Sequence, residues 1–187
     1  MDTKKNKESE KSKEKEIYNA ILKDLNVIIK DQNCRKLYEK GYYGNLDNDT
    51  LYLDPNEALL LLERKRLIIK DENGKEYDFK TLTEYFVNKI PNFWVKYLVY
   101  KDLRNRGYIV KQGFGDEIEF RVYERGATAG ETNAKYLVHP VVEGSPLKLT
   151  ELSKITKIAK SARKSLILVV VDRQGEVTYY KCKEVVF

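Results

Sequence analysis

From Leu166 to Val171 the chain reads Leu-Ile-Leu-Val-Val-Val, its longest strongly apolar run. The run is strand-sized, far short of the roughly 20 residues a membrane span needs. Its β-branched aliphatic content predicts a buried strand. The residues ahead of it, Thr150 to Lys164, carry apolar positions at Leu152, Ile155, Ile158, Ala159 and Ala162, the spacing of one helix face. Behind it, Asp172 to Gly175 is a turn, and Val177 to Lys181 and Glu184 to Val186 read as further strands. Upstream, strands are predicted at Tyr108–Lys111, Ile118–Tyr123 and Lys135–Val142. An amphipathic helix from Phe93 to Arg106 ends at Gly107. Its apolar face is assigned to Trp94, Tyr97, Leu98, Val99 and Leu103, with Trp94 as a core anchor. The C-terminal half is thus a mixed layer of strands around helices.

The N-terminal half has the same character on a smaller scale. Val27-Ile28-Ile29 is a short strand, and Arg35 to Lys40 a short helix stopping at Gly41. Asp54-Pro55-Asn56-Glu57 combines a capping residue, a first-turn proline and a capping-box glutamate, so a helix starts there and runs on through Ala58, Leu59, Leu62 and Leu67. Asn73-Gly74 marks a hairpin between Leu67–Lys70 and Glu76–Phe79. Thr81 with Glu84 reads as a second capping box opening a helix to Lys89. Pro91 punctuates the chain. The expected division is a charged tail over residues 1–16, an N-terminal α/β domain over 17–91 and a C-terminal domain over 92–187, α+β overall.

Composition narrows the classes of function. The chain has 187 residues, 42% of them hydrophobic, a net charge of +6 and an isoelectric point near 9.0. A polyanionic partner suits that balance, and 14 tyrosines offer stacking surfaces for RNA. Cys34 and Cys182 are too few and too far apart for a disulfide framework. The charged N-terminus has no apolar segment behind it, so a secretory leader and a membrane partner are not expected and a cytoplasmic location is. There is no phosphate-cradling glycine loop and no paired-histidine or Cys-x-x-Cys metal spacing. With His139 as the single histidine, a two-histidine acid/base pair is impossible. One metal reading stays open, with Glu117 and Glu119 on one strand face beside Asp116.

Several motifs then carry a resemblance. Leu37 to Gly44 (LYEKGYYG), Tyr97 to Gly113 (YLVYKDLRNRGYIVKQG), Phe120 to Gly126 (FRVYERG), and Ser161-Ala162-Arg163-Lys164 followed by the apolar strand and Asp172 occur in this order. Together they resemble archaeal tRNA-splicing endonucleases, over about residues 25–187. The resemblance implies a small N-terminal domain followed by a restriction-endonuclease-like catalytic domain. It implies cleavage of precursor tRNA at a bulge-helix-bulge fold without metal or cofactor, leaving a 2′,3′-cyclic phosphate and a 5′-OH. Tyr123 would be the general base towards the ribose 2′-OH, and Lys164 would stabilise the pentacoordinate phosphorane. RNA carries its own nucleophile, so such a site need only align it, move two protons and neutralise a phosphate.

At the family's general-acid histidine this chain has Asn133. An asparagine donates a hydrogen bond but delivers no proton near neutral pH, and losing a general acid typically costs about 10²–10⁴ in rate. His139 lies six residues further on, roughly 20 Å along an extended strand, too far to replace it. Asp116-Glu117-Ile118-Glu119 also makes the approach to Tyr123 more acidic than the family pattern. By the same resemblance Lys157 and Tyr179, contributed by both active subunits, would trap a bulged base, Arg125 and Arg163 would contact RNA, and the Asp172–Glu176 loop would insert into a basic groove of a partner subunit. A homodimer or a tetramer of like subunits is implied. The alternative reading is a non-catalytic RNA-binding subunit that scaffolds an active partner.

Overall fold

The structure, a computed structural model, describes residues 16–114, 117–128 and 132–185. The charged tail up to Lys15 lies outside these residues, as do Asp116 and the Val186 end of the expected last strand.

Strict alternation builds the first sheet. In β1 (Tyr18–Lys23) the side chains of Tyr18, Ala20 and Leu22 point inward and those between them outward. β1 turns through Asp24, held at φ 52°, into antiparallel β2 (Asn26–Lys30). A 3-10 turn (Gln32–Cys34) leads into α1 (Arg35–Gly41). The hairpin of β3 (Asn45–Asp47) and β4 (Thr50–Leu53) extends the sheet beyond β2. α2 (Pro55–Glu63) then crosses over to β5 (Leu67–Asp71), which pairs parallel with β1, and β6 (Glu76–Tyr77) closes a sheet of order β3-β4-β2-β1-β5-β6. The capping box at α2 is present in both directions, Asp54 accepting from the Glu57 amide and Glu57 from the Asp54 amide. Leu67, assigned by pattern to this helix, instead begins β5 after Lys65 reverses the chain at φ 56°.

α3 (Phe79–Val87) starts earlier than its expected cap. The capping box is Asp78 with Thr81, and Glu84 lies inside the helix. α4 (Phe93–Asn105) follows, but its inner face is Phe93, Tyr97, Val99, Tyr100 and Leu103. Trp94, expected as a core anchor, is 43% exposed and only flanks the Tyr97 ring at 5.6 Å. The helix entry at Asn92, in the left-handed region at φ 55°, sets the helical phase so that Phe93 takes the inward position.

The second sheet contains β7 (Ile109–Gln112), β8 (Phe120–Tyr123), β9 (Tyr136–Val142), β10 (Ser165–Val171) and β11 (Val177–Cys182), in the order β11-β10-β9-β8-β7. β9 and β10 are parallel, joined by α5 (Leu149–Ser161), and the other neighbours are antiparallel. Residues 183–185 form no strand, so among the described residues β11 ends at Cys182. α4 covers one face, over Phe120, Val122, Val138, Val169 and Val171. α5 covers the other, where Ile155 and Ala159 pack on Leu137 and Leu166. Burial of Ile155 alone contributes about 1.5–3 kcal/mol. No helix among the described residues is long and apolar enough to cross a membrane.

α4 also packs on α2 and α3, so one apolar core runs from the first sheet into the second. Polar groups fasten the same junction. The Glu57 carboxylate is 2% exposed and accepts from the Gly44 amide at 2.8 Å, with the Lys111 ammonium of β7 at 3.5 Å. Lys111 also donates to the Gly44 carbonyl at 2.6 Å, and Arg104 of α4 donates to the Gly41 carbonyl at 2.7 Å while lying over the Tyr43 ring at 4.2 Å. Burial and the neighbouring Glu57 carboxylate push the Asp54 carboxyl up to about 8.

Two outcomes follow for stability. Lys111→Met leaves Glu57 buried without its cation and is expected to destabilise the chain by about 3–5 kcal/mol in urea titrations. The folded state keeps a proton on Asp54 that the unfolded chain releases near its ordinary carboxylate value. The contribution of Asp54 to stability is therefore largest at the acid end and falls as pH rises towards 8. Asp54→Asn, which still caps the helix, is expected to flatten that fall in urea midpoints measured from pH 5 to pH 8.

Candidate active site

Strand register places three sequence-predicted residues at one end of the second sheet. Val122 pairs with Tyr136 and Tyr136 with Ser165. One step further along, Tyr123 stands opposite Lys135, and Lys135 opposite Lys164. The Lys135 amide donates to the Val122 carbonyl and the Ser165 amide to the Lys135 carbonyl, both at 3.0 Å. With strands roughly 4.8 Å apart, the Tyr123 and Lys164 backbones are about 10 Å apart across this central position. Period-two alternation turns Tyr123 and Lys164 to the α5 face, since their neighbours Val122 and Ile167 belong to the α4 face. Asn133 is exposed, in the segment entering β9. The Lys164 ammonium donates to the carbonyl of Ala134, the next residue, at 2.5 Å.

Lys164 is held by the way α5 ends. The Arg163 amide donates to Lys160 and the Lys164 amide to Ala159, at 3.0 and 2.9 Å, with Arg163 left-handed at φ 53°. This closes the helix and delivers Lys164 to the sheet beside the negative end of the α5 dipole, where a cation is favoured. Lys135, which sequence reading did not single out, is the ladder position between Tyr123 and Lys164, and its ammonium forms an ion pair with Glu124. Alternation along β9 was the signal that would have found it. Arg125 is exposed two residues beyond Tyr123, its guanidinium over the Tyr108 ring at 5.0 Å.

His139 lies further along β9, opposite Leu168. Its Nδ1 is 2.7 Å from the Glu117 carbonyl, which can only accept, so that nitrogen carries the proton and Nε2 faces Glu151 at 3.7 Å. It is therefore directed away from Asn133. Two carboxylates of the acidic stretch before Tyr123 are paired, Glu119 with Lys96 at 2.8 Å and Glu117 with Lys154. Among the described residues no three His, Cys, Asp or Glu side chains are grouped to hold a metal ion.

Lys157 and Tyr179, expected to act on one base, are not brought together within the chain. Lys157 is exposed on α5, whereas Tyr179 packs on the α4 face. The Tyr179 hydroxyl donates to Asp102 at 2.5 Å, and Arg106, paired with the same carboxylate at 2.6 Å, lies over its ring at 5.6 Å. Burial and the Asp102 bond raise the Tyr179 phenol well above its ordinary value. In the Asp172–Glu176 loop one Asp172 oxygen accepts the amides of Gln174 and Glu176 at 2.9 and 2.8 Å, which shapes the turn itself, while Glu176 is exposed.

A small α/β domain fastened to a helix-flanked sheet, with Tyr123, Asn133 and Lys164 towards one end of that sheet, defines a two-domain α+β protein. Residues 93–179 match the family model of the tRNA intron endonuclease, catalytic C-terminal domain, and residues 18–83 that of its N-terminal domain. The tRNA-splicing endonuclease of Methanothermobacter thermautotrophicus is 38% identical over 163 residues, covering 85% of this chain and 92% of that protein. The Methanococcus vannielii enzyme is 36% identical over 171 residues, 90% of this chain and 95% of its own length. The Methanosarcina acetivorans enzyme is 40% identical over 157 residues, 84% of this chain but 44% of its own length. The chain belongs to the tRNA-splicing endonuclease family.

The left-handed Arg163 gives a structural test. A non-glycine residue there costs about 1–2 kcal/mol of backbone strain, partly offset by the larger unfolded-state entropy of glycine. Arg163→Gly is expected to raise stability by about 0.5–1 kcal/mol in thermal unfolding.

Proposed function

We propose that this chain recognises the bulge-helix-bulge of precursor tRNA and that its cleavage centre is Tyr123, Asn133 and Lys164. The observation that supports this reading is the ladder register that sets Tyr123 and Lys164 two strands apart on one face, with Asn133 beside the carbonyl that Lys164 contacts. Tyr123 takes the proton of the ribose 2′-OH, which attacks the adjacent phosphorus in line. Lys164 neutralises the charge that develops on the non-bridging oxygens. Asn133 donates a hydrogen bond to the phosphate but leaves the departing 5′-oxygen without a protein proton, so water must supply it and cleavage is slow. The products are a 2′,3′-cyclic phosphate and a 5′-OH. Residues 17–91 form the N-terminal domain and 92–187 the catalytic one. Like subunits assemble as a dimer or tetramer through the Asp172–Glu176 loop, and Lys157 and Tyr179 meet a bulged base from different subunits.

The test is Asn133→His, assayed on an intron-containing precursor with EDTA present. Cleavage is expected to accelerate by about 10²–10⁴ over the parent, with cyclic-phosphate ends, and Tyr123→Phe in that background is expected to remove the gain. A histidine variant no faster than the parent overturns the general-acid assignment. Binding of the precursor by the parent, with no cleavage by either variant, would instead favour the scaffold-subunit reading.

A further inference from the structure

A cavity of about 260 Å³ lies between the last turn of α4 and the second sheet. Its apolar lining comes from Leu103 of α4 and from Val122, Val138 and Ile167, which belong to the α4 face of the sheet. The half-buried rings of Tyr108, Tyr136 and Tyr179 wall it, and the exposed Arg106 and Arg125 mark its mouth. Arg106 is already committed, paired with Asp102 at 2.6 Å and lying over the Tyr179 ring at 5.6 Å. Arg125 lies over the Tyr108 ring at 5.0 Å, and among the described residues no carboxylate pairs with it. Val122 and Tyr136 are the last ladder pair of β8 and β9 before Tyr123 and Lys135. The mouth is therefore at the same end of the sheet as the candidate centre, on the opposite face.

We propose that this cavity takes one unpaired base of the precursor, with the phosphate of that nucleotide on Arg125, an inference that rests on the RNA reading given above. It is a second base, held within one chain, and differs from the base that Lys157 and Tyr179 meet from different subunits. The volume lies below the roughly 300–1,000 Å³ that encloses a drug-sized ligand, so a single flat ring system fits. Bases splayed out of RNA stack on aromatic rings and guanidinium planes, and the cavity offers both. An apolar side chain of a protein partner would fill the same space but would bury Arg125 without an anion, which is costly. A nucleotide satisfies both parts, the base against the apolar lining and the phosphate against the guanidinium. The Tyr179 hydroxyl is already given to Asp102 at 2.5 Å, and the buried lining, Leu103, Val122 and Val138, is apolar. The base is therefore held by stacking and burial, which tolerate a change of base.

The test replaces each unpaired nucleotide of a bulge-helix-bulge precursor in turn by an abasic one and measures binding to the full chain by anisotropy. One position is expected to lose about tenfold on removal of its base, while accepting all four bases. Ile167→Phe, which puts a ring into the cavity, is expected to weaken the intact precursor about tenfold and the precursor abasic at that position not at all. Tyr136→Leu, which removes a wall, is held to the same pattern, so the test stands if thermal unfolding shows Ile167→Phe to be misfolded. Arg125→Gln is expected to weaken both precursors, because the phosphate remains, and to reduce the log–log salt slope by about 0.7. Lys30→Gln, on the first sheet, is expected to change none of these. A scan in which the cost of base removal persists at every position in both cavity variants overturns the cavity and leaves the proposed function standing, as does an unchanged slope in Arg125→Gln. If the position coupled to the cavity variants is also the one coupled to Lys157→Gln, the cavity holds the shared base and a second base is overturned. A parent chain that fails to bind the precursor overturns both readings.

Discussion

The buried carboxylate of Glu57 is the point on which the two sheets are registered against each other. A charge taken out of water costs several kcal/mol unless its acceptor sites are filled. Here they are filled from three directions: the amide of Asp54 at the start of its own helix, the amide of Gly44 in the turn after α1, and the ammonium of Lys111 on the second sheet. None of the three can shift without exposing the others to a loss. Gly44 is at φ 67°, and a Cβ there would stand 2.6 Å from the Tyr52 carbonyl, so only glycine lets the turn present that amide. Arg104 repeats the arrangement one strand away by reaching Gly41 from α4. The Tyr43-Gly44 turn is therefore held by both α4 and β7, and the core beneath it is continuous.

That junction fixes α4, and α4 fixes which face of the second sheet is left for α5. The consequence for the candidate centre is a matter of register. Side chains alternate with a period of two, so a one-residue slip of β8 against β9 would carry Tyr123 to the α4 side, beside Val138, and Val122 to the α5 side. The apolar residues on each face prevent this, because Val122, Val138 and Val169 meet α4 while Leu137 and Leu166 meet α5. The same packing that stabilises the sheet also places Tyr123 and Lys164 at one end of it.

Elements whose signal is local were readable from the sequence. The α2 cap, the Asn73-Gly74 hairpin, the amphipathic face of α5 and the apolar run of β10 all depend on neighbours a few residues away. β1 was not recognised, because Tyr18-Asn19-Ala20-Ile21-Leu22-Lys23 looks mixed until its alternation is matched to β5. Thr81 and Glu84 satisfied a capping rule that Asp78 and Thr81 satisfied better, and Trp94 lost its core place to Phe93 because the left-handed Asn92 set the phase of α4. In the candidate centre, Tyr123, Asn133 and Lys164 could be named by motif, but Lys135 could not, since its place between them exists only in the ladder.

By itself the sequence determined which residue types were available: the phenol of Tyr123, the ammonium of Lys164 at a helix end, and the amide of Asn133. It also determined the helices and turns, because caps, glycines and apolar periodicity act over a single turn of chain. Tertiary structure alone decided which of these groups meet. Tyr123 and Lys164 share one end and one face of the sheet because β8, β9 and β10 pair in one register, Lys157 and Tyr179 are separated because they lie on opposite faces, and His139 is held elsewhere by the Glu117 carbonyl. Those outcomes depend on contacts between residues far apart in the chain, set by how each sheet face is buried, and no local pattern encodes them.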